Sequence, residues 1–450
     1  MKTPIRIIVA ADLKGTSGAS GTCRVMPNQT DDLFQTLKPS VTLSGGNTFS
    51  PEGMADFEVA AVQSKLGATT AEETTKILHD KAFQHIEAGY RGIDFLATKL
   101  PEEGVILEVL DTSYEDLRQR ILDDIVKPEY AGRSDVPATV ILGDFDFNYK
   151  PASMEVLADL AKMGEAIHTP FVAQTGADFF NLKHLLHLPT IKNPLEQLSA
   201  RSYAAYHEFR ETDTSFWCSL MLNRFLLRAP YDTEEYKEPA SAGKPEQYLF
   251  ARGIWVLGAN MIKSFAAKEH LVGISGLGTG GEQLGLPYRA LPLSRQESVN
   301  TPLEASLPID IVEGLPYLGI SPLSQIPVDM GGQSQPGMIY LHLAANLKHI
   351  PDPEGNQFGL LTVHASIAYS LMMGRVIKTA TKYITENGPE GAAPSDLVDG
   401  VKAALLEDLW TKEPEEITVE AKENGLAITY RPNLVIHTRR FEIDLDIPVA

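Results

Sequence analysis

The chain reads as an α/β protein. Short β-branched runs such as Ile5-Arg6-Ile7-Ile8-Val9-Ala10 are separated by stretches whose apolar residues recur at helical spacing. Between residues 136 and 176 the pattern runs strand, helix, strand, and the last residues alternate strictly between apolar and charged. A strand, a crossover helix and a second strand form a βαβ unit with parallel strands and right-handed connection, which lays a helix on one face of a sheet.

The central stretch is the clearest. Residues 136–142 are an apolar run closed by Gly143, and Asp144-Phe145-Asp146-Phe147-Asn148 follows. Successive strand side chains point to opposite faces, so Asp144 and Asp146 share one side while Phe145 and Phe147 share the other. Pro151 suits a first helical turn; Met154, Leu157, Ala158, Ala161, Gly164, Ile167 and His168 then follow at helical spacing. Pro170 stops the helix, and Phe171-Val172-Ala173 is a second strand ending near Gly176.

Charge narrows the function. Across 450 residues, Lys plus Arg number 39 against 59 Asp plus Glu, a net charge of -20, which leaves no basic footprint for unaided nucleic-acid binding. The amino terminus lacks a basic-then-apolar signal pattern and no apolar run reaches the roughly 18 residues of a membrane span, so a cytoplasmic protein without direct membrane insertion is expected. Cys23 and Cys218 stand far apart, without the spacing of a disulfide framework or zinc site.

Taken in order, residues 5–10 predict a strand. The Gly/Ser/Thr-rich loop 12–21 lacks the P-loop spacing with its Gly-Lys-Ser/Thr. Residues 70–100 predict one helix, on which His79, His85 and Glu87 are expected as solvated side chains. A strand follows at 105–110, with Ser113 as N-cap of the next helix. Residues 178–188 are expected to be helical, with His184 and His187 partly exposed, and 231–245 to form a surface connection between two lobes. A helix is predicted over 247–265. The glycines Gly276, Gly278, Gly280 and Gly281 then follow a helix, whereas a dinucleotide fingerprint sits between a strand and a helix; a packed turn is expected. Helices are predicted over 358–385, where Met372-Met373 fill core space, and over 394–410. Runs 417–422 and 426–430 flank Glu423-Asn424-Gly425, a hairpin signal. In the tail Phe441, Ile443, Leu445 and Ile447 alternate with Arg440, Glu442, Asp444 and Asp446.

One catalytic arrangement suggests itself. Asp144 and Asp146 at the carboxyl end of a strand could hold Mg²⁺ for phosphoryl transfer, with His168 as base. Asn148 stands where comparable phosphatases carry a hydroxyl, and no second acidic cluster is evident, so paired structural carboxylates are the expected reading, with no enzyme activity and no cofactor.

The wording of the central stretch resembles the large sheath subunit of bacterial type VI secretion systems, contractile tubes related to phage tail sheaths. Four pieces carry the resemblance, in the family's order and spacing. They are Gly143-Asp144-Phe145-Asp146-Phe147, residues 166–173 (with His168, Pro170 and Phe171), residues 209–213 (with Arg210 and Glu211) and residues 223–231 (with Arg224 and Arg228). Looser similarity covers 77–92, Gly285-Leu286-Pro287, 307–311, 318–323 and 431–448. Asp12-Leu13, Asp32-Leu33-Phe34 and Asp56-Phe57 are similar to the small sheath subunit, normally a separate chain.

The resemblance implies a mixed α/β sheath-protein core plus a carboxyl-terminal β-arm for strand exchange between subunits. It divides the chain into a small-subunit-like segment (1–62), an α/β core (63–232), a second lobe (233–330) and carboxyl-terminal helices with exchanged strands (331–450). It implies a structural subunit that polymerises around an inner tube and contracts to drive it through a target membrane. The implied partners are further copies in a helical homo-oligomer, or a separate small subunit, together with the inner tube protein and a baseplate; a phage-like or extracellular particle is the other setting. Ile5, Ile7, Val9, Ile428, Tyr430, Phe441, Ile443, Leu445 and Ile447 are the expected strand-exchange residues. Asp396, Asp399, Lys402, Glu407 and Asp408 are the expected inner-tube contacts. The longer amino-terminal region that an unfoldase recognises in several family members has no evident counterpart.

Overall fold

Strand β1 (Ile5–Ala11) lies inside a nine-stranded sheet: all seven residues pair with one neighbouring strand, Ile7 to Ala10 pair with the other as well, and every residue but Arg6 is buried. The computed structural model describes residues 3–18, 21–191, 193–293, 297–326, 335–350, 363–388, 392–409, 411, 413–436 and 439–449, the side chains of 194 and 195 excepted. The remaining strands are β2 (Cys23–Val25), β3 (Val105–Asp111), β4 (Val140–Phe147), β5 (Phe171–Thr175), β6 (Cys218–Leu222), β7 (Glu282–Gln283), β8 (Ile320–Ser324) and β9 (Ile339–Leu341). Their order is β7-β9-β8-β6-β5-β4-β1-β3-β2. From β3 to β8 the pairs are parallel; β2, β9 and β7 add antiparallel edges. The fold is therefore mixed α/β.

A parallel sheet must be covered on both faces, and the period of two in the strands divides the core accordingly. Ile5, Ile7, Val9, Leu142 and Val172 face one apolar cluster, while Ile8, Ala10, Ile141, Phe171 and Ala173 face another. Helices α1 (Lys81–Ala97) and α3 (Ile254–Lys268) cover the first face; α2 (Pro151–Ala166), between β4 and β5, covers the second.

Several expectations change here. Ile5, Ile7 and Val9 were expected in an exchanged strand, but each is fully buried in β1, between β3 and β4, with no free edge to offer a neighbour. The boundaries at 62, 232 and 330 do not divide the packing either, since β1, β3 and β8 share one sheet, and Phe49 and Phe57 pack on Phe83 at 5.1 and 5.8 Å. The single helix expected over 70–100 is two, Ala71–Leu78 and α1. His79 ends the first, and Asp80 caps the second by accepting from the N–H groups of Ala82 (2.9 Å) and Phe83 (3.3 Å). Residues 178–188 form short 3₁₀ turns, Ala177–Phe180 and Leu185–Thr190, not an α-helix. After Ser113 the helix starts only at Leu117, although the Ser113 hydroxyl does accept from Asp116 N at 3.1 Å. The glycine segment is a folded-back turn: Gly280 has φ +118° and a Cβ there would lie 2.3 Å from the Gly273 carbonyl.

The carboxyl-terminal part comprises α4 (Ile367–Asn387), α5 (Pro394–Asp408) and a three-stranded antiparallel sheet of β10 (Ile417–Lys422), β11 (Gly425–Tyr430) and β12 (Ile443–Pro448). The expected starts and ends at 358 and Trp410 lie outside the described residues. No helix among the described residues is long and apolar enough to cross a membrane.

Candidate functional site

Four groups of residues singled out in the sequence meet in space, and each can be built from the elements that carry it. The first is at the carboxyl end of β4. Gly143 is required by close packing, since a Cβ would lie 2.6 Å from the Phe171 ring. Asp144 is buried, accepts from the Trp255 indole at 3.1 Å and pairs with Arg252 at 3.2 Å. Asp146 lies 2.9 Å from both Arg224 and Arg252. Those arginines sit directly opposite each other in the antiparallel pair Arg224–Leu226 and Phe250–Arg252, so one carboxylate bridges two like charges that would otherwise repel. Burial works to raise the Asp146 pKa, but the two guanidiniums prevail and hold it well below the usual carboxylate range.

This geometry answers the metal reading. Both carboxylates that would ligate Mg²⁺ are engaged by guanidinium groups, and among the described residues no three His, Cys, Asp or Glu side chains gather closely enough to hold a metal. His168 precedes β5, at the opposite end of parallel strands from Asp146, and cannot serve it as a base. Phe145 and Phe147 point the other way, to Tyr114 at 6.0 and 5.6 Å.

The second group centres on Glu87, which sequence spacing assigned to solvent. It is instead fully buried, held by Arg228 at 2.8 Å and by Arg91, one turn along α1, at 2.8 Å. Arg228 also pairs with Glu238 at 2.7 Å and stacks 4.1 Å over Tyr231; Arg91 reaches Glu58 at 3.0 Å. Residues 231–238, the first part of the stretch 231–245 expected as a surface connection, are thus pinned to α1 and the helix before it. Among them Tyr236 is buried with the hydroxyl 2.9 Å from Thr75. His79 lies 3.2 Å from Glu238. His85 and His184 line one cavity of about 480 Å³ beside Arg224 and Arg252.

The third group is the turn before β5. His168 adopts left-handed backbone (φ +49°) and its ring packs on Trp217 at 5.6 Å. Helix α4 crosses this turn so closely that a Cβ on Gly374 would lie 2.3 Å from the His168 carbonyl. Lys378, one turn further along, donates to Thr169 Oγ1 at 2.6 Å and to the Ala138 carbonyl. Residues 166–173 are therefore the seat of α4. Arg210 is structural as well, donating to the carbonyls of Leu347 (3.0 Å) and Tyr317 (2.9 Å), whereas the Glu211 carboxylate lies 2.7 Å from the half-exposed His349.

The fourth group is the tail. Ile428, Tyr430, Ile443, Leu445 and Ile447 pair within the chain's own sheet β10-β11-β12, and Phe441 packs on Tyr369 at 6.2 Å. Ile443 and Ile447 face inward while Asp444 and Asp446 face solvent, the alternation read from the sequence. On α5, Asp396, Asp399 and Glu407 are exposed and Lys402 is half-buried. Asp408 is not a surface contact: it is buried, paired with Arg375 at 2.8 Å and accepting from Thr3 N at 3.1 Å.

Sequence spacing missed Arg252, Trp255, Glu238, Arg375 and Lys378. Their partners lie far along the chain, and no local pattern marks a side chain whose role is set by long-range packing.

Comparison with known proteins places this geometry. Residues 60–328 match the family model of the VipB tail sheath N-terminal domain (EvpB/VC_A0108). The type VI secretion system sheath protein TssC1 of Pseudomonas aeruginosa (strain PAO1) is 24% identical over 255 residues, 52% of this chain and 50% of that protein. The chain spans about half the length of this curated relative.

Proposed function

The chain belongs to the VipB tail-sheath family, and we propose that it is a structural subunit of a contractile sheath, copies of which polymerise around an inner tube and contract to drive it through a target membrane. The observation that carries this reading is the family match over residues 60–328, which takes in all four motif stretches and the ion-pair groups built from them. The enzyme reading has no such support, because Asp144 and Asp146 are spent on Arg224, Arg252 and Trp255.

The assembled sheath is proposed to lie in the cytoplasm, with an inner tube protein and a baseplate as partners. Sheet β10-β11-β12 supports a role in joining subunits: its outer strands have no further partner strand among the described residues, and main-chain groups left open at a strand edge can take up a strand from another copy. Phe441, Ile443, Leu445 and Ile447 remain the proposed residues of the exchanged arm, with Ile428 and Tyr430 on the inner strand β11 as the strand that receives it. Carboxylates on its outer face, Asp444 and Asp446, oppose indiscriminate pairing. Tethered subunits can then turn as rigid bodies during contraction. The exposed face of α5, with Asp396, Asp399, Lys402 and Glu407, is the proposed tube contact. A small-subunit-like role for residues 1–62 is also proposed, on the likeness of Asp12-Leu13, Asp32-Leu33-Phe34 and Asp56-Phe57 to that subunit.

Negative-stain microscopy of the purified chain, alone and with its candidate tube protein, tests the reading. Striated hollow cylinders are expected. Discrete particles under every assembly condition would remove it.

A further inference from the structure

The middle of α4 holds a charge with no ion-pair partner among the described residues. A cavity of about 290 Å³ opens there, between α4, α5, the stretch Thr3–Pro4 and the turns at Pro137–Thr139 and His168. The Lys378 ammonium enters it, and its two hydrogen-bond partners, the Ala138 carbonyl and the Thr169 hydroxyl, are both neutral. An ammonium has three N–H donors, so one remains. Among the described residues no carboxylate lies within ion-pair distance of it. Glu129 acts from further off and is itself held by Arg6 at 3.0 Å. His168 lines the same cavity, with its Nδ1 buried and without a hydrogen-bond partner among the described residues.

The other charges in the cavity are engaged elsewhere. Arg375 and Asp408 pair at 2.8 Å, and Lys382 faces Glu386 at 3.9 Å. Glu407 is exposed. What is left is one cation at an open cavity with room for more than a single water, and one buried imidazole nitrogen on a residue of its lining.

We propose that this cavity binds a small oxyanion, a phosphate or a carboxylate, between the Lys378 ammonium and His168 Nδ1–H, and that its binding fastens α4 to the turn before β5. The direction of the Lys378 pKa fits an under-compensated cation: burial pushes it down to about 8, Glu129 pulling the other way and Arg6 adding to the fall. Burial, with Lys378 next, also lowers the pKa of His168. An anion would relieve both. The inference does not depend on the sheath reading and concerns the single subunit.

Thermal unfolding of the full chain, with inorganic phosphate, acetate or chloride added at equal ionic strength, tests it. At about pH 7, phosphate or acetate is expected to raise the midpoint of the parent protein by a few degrees over chloride, and not that of Lys378→Met. His168→Asn, chosen because asparagine tolerates left-handed backbone, is expected to weaken the response. At about pH 9.5 the response of the parent is expected to fade as the amine loses its proton, while that of Lys378→Arg persists. Equal shifts in all three salts, or an unchanged response in Lys378→Met, would overturn the site. If Lys378→Met does not fold, the comparison of Lys378→Arg with the parent decides: an identical dependence on pH in the two overturns it.

Discussion

Glu87 and Arg228, 141 residues apart in sequence, meet at 2.8 Å with the carboxylate wholly shielded from solvent. Such a pair is held as much by the cost of parting as by attraction, because either charge left alone in the core is expensive. Arg228→Met should therefore lower stability by about 3–5 kcal/mol, and the double variant Glu87→Leu/Arg228→Met should recover part of the loss. Chemical denaturation of the four proteins measures this, and additive losses would contradict it.

The carboxyl end of β4 makes a pH-dependent prediction. Asp146 has its folded pKa depressed, so its contribution is present above the unfolded value near 3.9 and is lost as pH falls through the folded one. Asp146→Asn is expected to cost roughly 1–3 kcal/mol at neutral pH. That difference should shrink in acid below about pH 4, and be indifferent to Mg²⁺. Stability curves against pH for parent and variant check it; a gap that Mg²⁺ alters would revive the metal reading.

Gly143 faces the Phe171 ring at a distance no Cβ tolerates. Gly143→Ala should destabilise by about 1–3 kcal/mol through overpacking, and Phe171→Leu in the same chain should relieve some of it. Equal melting points for parent and Gly143→Ala would mean that the strand shifts freely.

The two chain ends should behave differently. Ile7 is fully buried on an inner strand of the main sheet, so Ile7→Asp is expected to abolish folding, seen as loss of the cooperative melt and of soluble yield. Deleting residues 433–450 removes β12 at the rim of a small sheet; the far-ultraviolet signal of the core should remain while cylinders disappear. Cylinders of normal length from the shortened chain would dispose of the exchange proposal.

Much of this was legible in the amino-acid order, for a definite reason. The strand-helix-strand order of 140–175, the faces of Phe145 and Phe147, the hairpin at Asn424 and the inward Ile443 and Ile447 follow from periods of 2 and 3.6, which are local properties of the backbone. The motif stretches likewise announced the family. Tertiary structure alone decided that β1 is an inner strand and not an arm, that Glu87 is a buried anion and Asp408 a buried partner of Arg375, and that His168 and Lys378 share a cavity. Whether a strand is inner or edge, and whether a charge is solvated or paired, depends on which distant segment lies beside it, and the pattern within a strand or helix carries no record of that neighbour.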